Sequence, residues 1–291
     1  MMLLNIFTSF FLLGQVTARG CNGHAKLCSR KYSNITYIGA HDSAFVGILP
    51  TDNQFLSLKS QLDGGIRFLQ AQTHLKNGVL QLCHTSCSLK DAGPLVSYLT
   101  IIKNWLDSNH NEVVSLLLTN GDRADVAQFG TDMTSSGLAT YAYNPGTRLK
   151  EADWPTLQQL IAANTRLVMF LDYDADTRKV PYILDEFSYY FETAYDTTDN
   201  KFPSCAIDRP SGLSGSGLMY IVNHFLDFDL FSILFPATIE LARTNAAKGD
   251  GSVGAHADLC SKSWGRRPNV ILVDFFEKGD VFKVQDTLNG I

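Results

Sequence analysis

The absences in this sequence narrow its class before any motif does. It has no basic run and no positive excess: 24 Lys and Arg stand against 29 Asp and Glu, a net charge of −5. That balance disfavours nucleic acid and strong attraction to an anionic membrane as partners. Past the first twenty residues no apolar run has the length of a transmembrane helix, and the C-terminus carries no hydrophobic tail of the GPI-anchor kind. No stretch rich in Pro, Gly or Ser reads as a linker between domains. No Gly-rich phosphate loop follows the first predicted strand, which argues against a doubly wound dinucleotide-binding sheet. Charged residues are only 18% of the chain and apolar ones 45%, enough for one large core.

What is present points outward from the cell. Leu3 to Leu13 is an apolar stretch of signal-peptide length, followed by the small-residue region Gln15-Val16-Thr17-Ala18. Residues 1–20 are therefore read as a signal peptide, residues 21–291 as a single domain, and the mature chain as secreted and extracellular. Six cysteines follow: Cys21, Cys28, Cys83, Cys87, Cys205 and Cys260. They allow about 15 pairings; Cys21–Cys28 and Cys83–Cys87 are the local candidates, leaving Cys205 for Cys260. The spacings match no zinc-finger pattern, and an oxidising compartment favours disulfides. Asn34-Ile35-Thr36 is an N-glycosylation sequon, so a glycoprotein is expected.

Strand and helix patterns alternate along the mature chain. Strands are expected at residues 34–39, 66–74, 79–84, 113–119, 166–172, 187–194, 218–225 and 269–275, from β-branched and aromatic content and period-2 alternation. Helices are expected at 56–62, 94–109, 156–164, 236–247 and 280–289; the second places Leu95, Tyr98, Leu99, Ile102 and Leu106 on one stripe. Repeated β-α units with buried strands imply a parallel sheet, and the number of units suits an α/β fold of the distorted (β/α) TIM-type barrel kind.

In such a barrel, functional side chains gather where strands end. His41, Gln70, Gln72, His74, His84, Asn120, Asp172, Asp174, His224 and Asp274 all fall at or near strand ends. A lone histidine there is more often a hydrogen-bonded structural group. Here His41 is followed by Asp42, and His84 stands one strand away. Gln70, Gln72 and His74 share one face of their strand, a face too polar for a dry core. Asp274, inside the apolar run Leu272-Val273-Asp274-Phe275, is costly to bury without a partner. The run Asp172-Tyr173-Asp174-Ala175-Asp176 offers metal-ligand chemistry, although an acidic loop is its commoner meaning. No metal site and no cofactor is expected.

At these residues the chain resembles a family. Gly39-Ala40-His41-Asp42-Ser43, Gly65-Ile66-Arg67-Phe68-Leu69, the His84 strand and Val270-Ile271-Leu272-Val273-Asp274-Phe275-Phe276 resemble secreted fungal members of the phosphatidylinositol-specific phospholipase C X-domain-like phosphodiesterases. The resemblance implies the PLC-like phosphodiesterase fold, with His41 as general base, His84 as general acid, and Asp42 and Asp274 orienting the imidazoles. It also implies a phosphodiester lipid or headgroup as substrate, a place in lipid metabolism, transient contact with a membrane surface and a monomeric chain. Gln70, Gln72, Asp172 and His224 are the expected substrate-binding residues.

One departure stands out. The bacterial relatives carry Asp and a phosphate-gripping Arg where this chain has Gln70 and Gln72, and the calcium-dependent relatives carry acidic ligands there. Neither amide replaces a cation against phosphate or a carboxylate for Ca²⁺. His224, His74 and Lys90 are the candidates to fill the gap. Two imidazoles nevertheless supply what phosphodiester cleavage needs near neutral pH, a neutral base and a cationic acid. Two other readings compete: a barrel that binds an inositol or glycan headgroup without turnover, and a glycoside hydrolase built on Asp172, Asp174 and Asp274.

Overall fold

The computed structural model describes residues 20–231 and 233–291. The predicted signal peptide thus lies outside the described residues, apart from Gly20. In chain order the strands are β1 (Tyr37–Ala40), β2 (Phe68–Lys76), β3 (Val79–His84), β4 (Lys90–Pro94), β5 (Val114–Asn120), β6 (Leu167–Leu171), β7 (Ile183–Asp185), β8 (Tyr190–Glu192), β9 (Met219–Asn223), β10 (Asp227–Leu230), β11 (Ile233–Pro236) and β12 (Val270–Val273). The helices are α1 (Leu58–Asp63), α2 (Leu95–Ser108), α3 (Val126–Ser135), α4 (Leu157–Ala162), α5 (Leu241–Thr244), α6 (Val253–Trp264) and α7 (Val281–Asn289).

Eight of these strands form a parallel sheet in the order β7-β6-β5-β2-β1-β12-β9-β8. Its registers include Gly39 opposite both Phe68 and Leu272, and Leu117 opposite Phe170. Only residues 186–189 join β7 to β8, too few for the helical crossover that parallel neighbours need. No ladder links these two strands among the described residues, so the expected (β/α) barrel is open along that seam.

Period-2 alternation sorts the strand residues into two cores. Tyr37, Phe68, Leu117, Phe170, Leu184, Tyr190, Ile221 and Leu272 point inward and pack together. Ile38, Leu69, Leu116, Met169, Ile183, Phe191, Val222 and Ile271 point outward, where α1, α2, α3, α6 and α7 lay their apolar faces on them. Gly39 belongs to the inward set, and a Cβ there would sit 2.7 Å from the Leu272 side chain. A glycine at this position lets β1 lie close between its neighbours.

Disulfides join Cys21 to Cys28, Cys83 to Cys87 and Cys205 to Cys260. Asn34 is exposed, and its side-chain oxygen accepts a hydrogen bond from Arg267 at 2.6 Å. Several boundaries differ from the sequence patterns. The strand expected at 187–194 shrinks to Tyr190–Glu192, because Glu186–Ser188 forms a 3-10 turn. The helix expected from Pro236 begins only at Leu241, since Pro236 pairs with Asp227 in an antiparallel β10–β11 hairpin. Helices α3 and α6 lay in stretches whose mixed polarity hid their apolar stripes.

Candidate active site

The inward-facing series on each strand changes character at its carboxyl end. Two residues beyond Gly39 stands His41; beyond Phe68, Gln70 and then Gln72; beyond Leu117, Thr119; beyond Phe170, Asp172. The same step leads from Leu184 to Glu186, from Tyr190 to Glu192, from Ile221 to Asn223 and from Leu272 to Asp274. Alternation thus stacks a polar ring on the apolar barrel interior. Nearly all of these residues line a cavity of about 450 Å³ at the barrel mouth, which also receives His74, His84, Tyr195, Asp196, Arg209, Phe225 and Asp227.

One side of the mouth holds the two imidazoles. His41 follows β1 directly, and its Nδ1 lies 2.8 Å from Asp274 Oδ1. Asn53 donates to both Asp274 oxygens, at 3.2 and 3.3 Å, and Phe225 stacks on the His41 ring at 3.6 Å with the planes 2° apart. These contacts leave His41 Nε2 facing Asp42. His84 ends β3, outside the barrel ladder, and is carried to the mouth by the β2–β3 hairpin. Asp42 Oδ2 lies 3.5 Å from His41 Nε2 and 3.5 Å from His84 Nε2. The Asp42 backbone, at φ 44°, turns this carboxylate between the two rings.

Both glutamines hold Asp42, one through its backbone and one through its carboxylate. Gln70 Oε1 accepts from the Asp42 backbone N–H at 2.7 Å, and Gln72 Nε2 donates to Asp42 Oδ2 at 2.8 Å. Gln72 Oε1 accepts in turn from the Thr85 N–H at 2.9 Å, tying the His84 loop to the same network. Burial works against the His41 imidazolium, but Asp42 and Asp274 outweigh it and raise its pKa to about 9. Burial also raises Asp42, while the two histidines pull it back down.

The opposite side, at β6, β7 and β8, is acidic. Asp172 is buried, accepts the Asn120 N–H at 2.6 Å, and is pushed up to about 6 by burial. Glu192 is held by Arg209 Nε at 3.0 Å and Nη2 at 2.5 Å. Glu186 is fully buried; burial and the neighbouring Glu192 raise its pKa well above the carboxylate range. Asp227, on the β10–β11 hairpin, is pushed up to about 7, first by burial and then by Asp274.

Comparison with known proteins gives the family and the fold. The family model described as PI-PLC X 1 matches residues 27–289. The chain belongs to the PI-PLC X family. It is 51% identical over 273 residues to a PI-PLC X domain-containing protein 1 of Arthroderma benhamiae, covering 93% of this chain and 90% of that one. It is 45% identical over 287 residues to an uncharacterized secreted protein of the same fungus, covering 94% of this chain and 64% of the relative. Among solved structures it is similar in fold to the phosphatidylinositol-specific phospholipase C from Listeria monocytogenes, with a TM-score of 0.59 and 15% identity, covering 91% of this chain and 95% of that one.

Within this PI-PLC X barrel, the residues named from sequence fall into three groups. His41, His84, Asp42 and Asp274 come together as described. Gln70, Gln72 and Asp172 reach the mouth, but the bonds of the two glutamines go to Asp42 and its neighbourhood. His224 does not reach it. Its ring is fully buried beneath the mouth, with Nε2 2.9 Å from the Thr244 carbonyl and Nδ1 3.0 Å from His256 Nδ1. Outward alternation after Asn223 explains this placement. His74 lines the mouth but pairs with Asp122 at 3.0 Å, and Lys90 pairs with Asp52 at 2.5 Å. Asp174 pairs with Arg123 and Asp176 with Arg178, so the acidic run after β6 is a loop with local counter-ions.

Arg209, Glu186, Glu192, Asn53 and Asp227 were missed in the sequence. Glu186 and Glu192 carried a signal, the two-residue step beyond an inward Leu or Tyr. Arg209 and Asn53 sit in loops and carried none.

Proposed function

We propose that this chain is a phospholipase C-like phosphodiesterase that uses His41 and His84 as general base and general acid. The observation that carries this reading is Asp42 Oδ2, 3.5 Å from the Nε2 atom of both imidazoles at one cavity. In the reaction, a hydroxyl of the substrate headgroup attacks its own phosphorus and passes its proton to His41. The bond from phosphorus to the departing alcohol breaks, and His84 gives that oxygen a proton. Asp274 orients His41, and Asp42 bridges the pair. Every group in this scheme belongs to the protein, so chelators are expected to leave the rate unchanged.

His41 also bears on the missing phosphate clamp. With its pKa raised to about 9, the free protein carries His41 as an imidazolium at neutral pH. That charge attracts the phosphodiester where Gln70 and Gln72 offer none. Turnover needs the neutral ring, so the rate is expected to rise with pH.

The substrate side also favours a lipid surface. Ile48, Leu49, Phe231, Ile233 and Ile239 are exposed, and Phe231 and Ile233 belong to the same hairpin as the mouth residues Asp227 and Leu234. An apolar rim of this kind suits transient contact with a neutral membrane. The three disulfides, together with a relative named as a secreted protein, support an extracellular location.

The test is cleavage of phosphatidylinositol and of glycerophosphoinositol by the native chain, His41→Ala and His84→Ala. Each substitution is expected to lower kcat/KM by about 10²–10⁴-fold with unchanged circular dichroism. Full activity in either variant defeats the proposal. Headgroup binding without product at high protein concentration would select the non-catalytic reading.

A further inference from the structure

The two imidazoles at the mouth are held by different means. His41 has Asp274 at 2.8 Å from Nδ1 and Phe225 stacked on its ring at 3.6 Å. For His84, among the described residues, Nε2 lies 3.5 Å from Asp42 and the buried Nδ1 has no hydrogen-bond partner. Phe45 meets its ring only at a tilt, with 5.1 Å between centroids. The main sheet does not hold it either. The β2–β3 ladder ends at Thr73 opposite Leu82, so Cys83 and His84 overhang it and pair with Asp91 and Lys90 of β4, past a register shift. The place of the His84 ring is therefore set by the backbone that carries it.

That backbone is closed into a ring. His84 is the second residue of Cys83-His84-Thr85-Ser86-Cys87, whose ends are joined by a disulfide across a sequence separation of 4. So short a loop removes little freedom from the unfolded chain; the Cys205–Cys260 disulfide, with a separation of 55, constrains far more of it. What the short ring controls is the conformation just after His84. Thr85 stands at φ 60°, a left-handed position that is costly for a β-branched residue. The Thr85 N–H donates to Gln72 at 2.9 Å, and the Ser86 N–H to the His84 carbonyl at 2.6 Å. Cys83 is buried, but Cys87 is partly exposed beside exposed Thr85, Ser88 and Leu89, within reach of a small thiol.

We propose that the Cys83–Cys87 disulfide positions His84 for proton donation, and that a thiol reductant opening it switches off the acid half of catalysis. This rests on the function proposed above and adds a regulation of the same site. A thiolate attacks Cys87 Sγ, forms a mixed disulfide there and releases Cys83 as a thiolate, which takes up a proton; a second thiol then resolves the mixed disulfide. Two reductant thiols become one disulfide, and the chain gains two electrons and two protons as the Cys83 and Cys87 thiols. Thr85 is then free to leave its left-handed position, and the His84 ring moves away from Asp42 and the leaving oxygen. His41, held by Asp274 and Phe225, stays in place.

The test separates the acid from the base through the leaving group. Glycerophosphoinositol releases an alkoxide, which needs a proton; the 4-nitrophenyl ester of inositol phosphate releases a phenolate, which leaves without one. Cys83→Ala/Cys87→Ala is expected to lower kcat/KM for the first by about 10²-fold and for the second by less than about threefold, the split that His84→Ala itself should show. Adding the cysteine substitutions to His84→Ala should cost less than about twofold more, because the disulfide acts through His84. Dithiothreitol should lower the native rate on glycerophosphoinositol, reoxidation should restore it, and the cysteine variant should not respond. Equal losses on both substrates, additive losses in the combined variant, or a dithiothreitol loss as large in the cysteine variant as in the native chain overturns the proposal. If the cysteine variant does not fold, the dithiothreitol loss on the two substrates, split or equal, decides on the native chain. Full activity in Cys83→Ala/Cys87→Ala defeats this inference alone, whereas full activity in His84→Ala defeats the catalytic reading and this inference with it. If the native chain cleaves neither substrate, the catalytic reading fails, and the nuclear Overhauser contact between the His84 and Phe45 rings decides the positioning: its loss on reduction upholds it, its retention overturns it.

Discussion

On the β12–β1–β2 side of the mouth, each charged group faces an opposite neighbour: Asp274 meets His41 and Asn53, and Asp42 meets both imidazoles and Gln72. On the β6–β7–β8 side, Arg209 answers Glu192, while burial raises Asp172, Glu186 and the nearby Asp227 and favours their neutral forms. The first arrangement moves protons between held groups. The second buries carboxyl groups with few opposite charges, which favours their protonated forms. The difference shows how one ring of strand ends, built by one alternation rule, holds two kinds of electrostatics according to which neighbours the loops bring in.

The largest break in this comparison should come from Asp42→Asn. Removing the charge shared by the two rings is expected to cost about 10²–10³-fold in kcat/KM, whereas Glu192→Gln on the far wall should act mainly on KM, by about tenfold. Steady-state kinetics on both variants measures the contrast, and equal kcat losses would erase it.

The pH profile sharpens the same point. On the acid side of about 9, kcat/KM should climb with pH as His41 loses its proton. Asp274→Asn removes one of the charges that raise His41, so its profile should level off at lower pH, with a lower plateau. A profile that levels off at the same pH in both proteins would detach Asp274 from His41.

Stability should respond with opposite signs in two buried places. Asp227 is raised from 3.8 to about 7, so its folded form binds the extra proton, and stability is lost as pH rises across that window. Asp227→Asn should therefore raise Tm by about 2 °C above pH 7 and change it little near pH 4. His224 and His256 are lowered by burial from 6.5 to about 3 and about 4. The unfolded chain takes up those protons first, so stability is present above 6.5 and falls as pH drops toward 4. Thermal melts across pH 4 to 8 check both signs. A His224→Gln chain whose Tm depends on pH between 6.5 and 4 as steeply as the native chain's would contradict the histidine pair.

The smallest expected effect concerns the surface. Phe231→Ser should lower binding to phosphatidylcholine vesicles by about threefold in sedimentation, since one exposed aromatic is removed from a rim of several. It should leave cleavage of a soluble glycerophosphodiester unchanged, separating the lipid-facing rim from both charged walls.

Much of the fold was legible because it depends on local periodicity. The strands at β1, β2, β3, β5, β6, β9 and β12 follow runs of alternating or continuous apolar residues, and α2 follows a clear stripe from Leu95 to Leu106. The open seam was not legible: Phe187–Ala194 has strand composition throughout, and only the four-residue link from β7 prevents a longer ladder. The candidate site was half legible. His41, Asp42, His84 and Asp274 stand in recognisable motifs, and Gln70 and Gln72 were correctly placed on the mouth face. Their role was not visible, because the Asp42 N–H and Oδ2 that they hold come from a different strand end, 28 and 30 residues away in sequence. His224 was misplaced for the converse reason: a strand-end position says where a residue lies along the barrel axis, and one further step of alternation turns the ring outward to His256.

What the sequence determined by itself was the set of periods: an inward apolar series on each strand that ends in a polar residue, and hence a barrel with a titratable mouth. The tertiary structure decided which of those residues meet. Asp42 between two imidazoles and Arg209 against Glu192 join side chains up to 42 residues apart, the distance in sequence from Asp42 to His84. Local pattern carries no information about them, because hydrogen bonds and desolvation depend on distances that only the three-dimensional arrangement of strands and loops establishes.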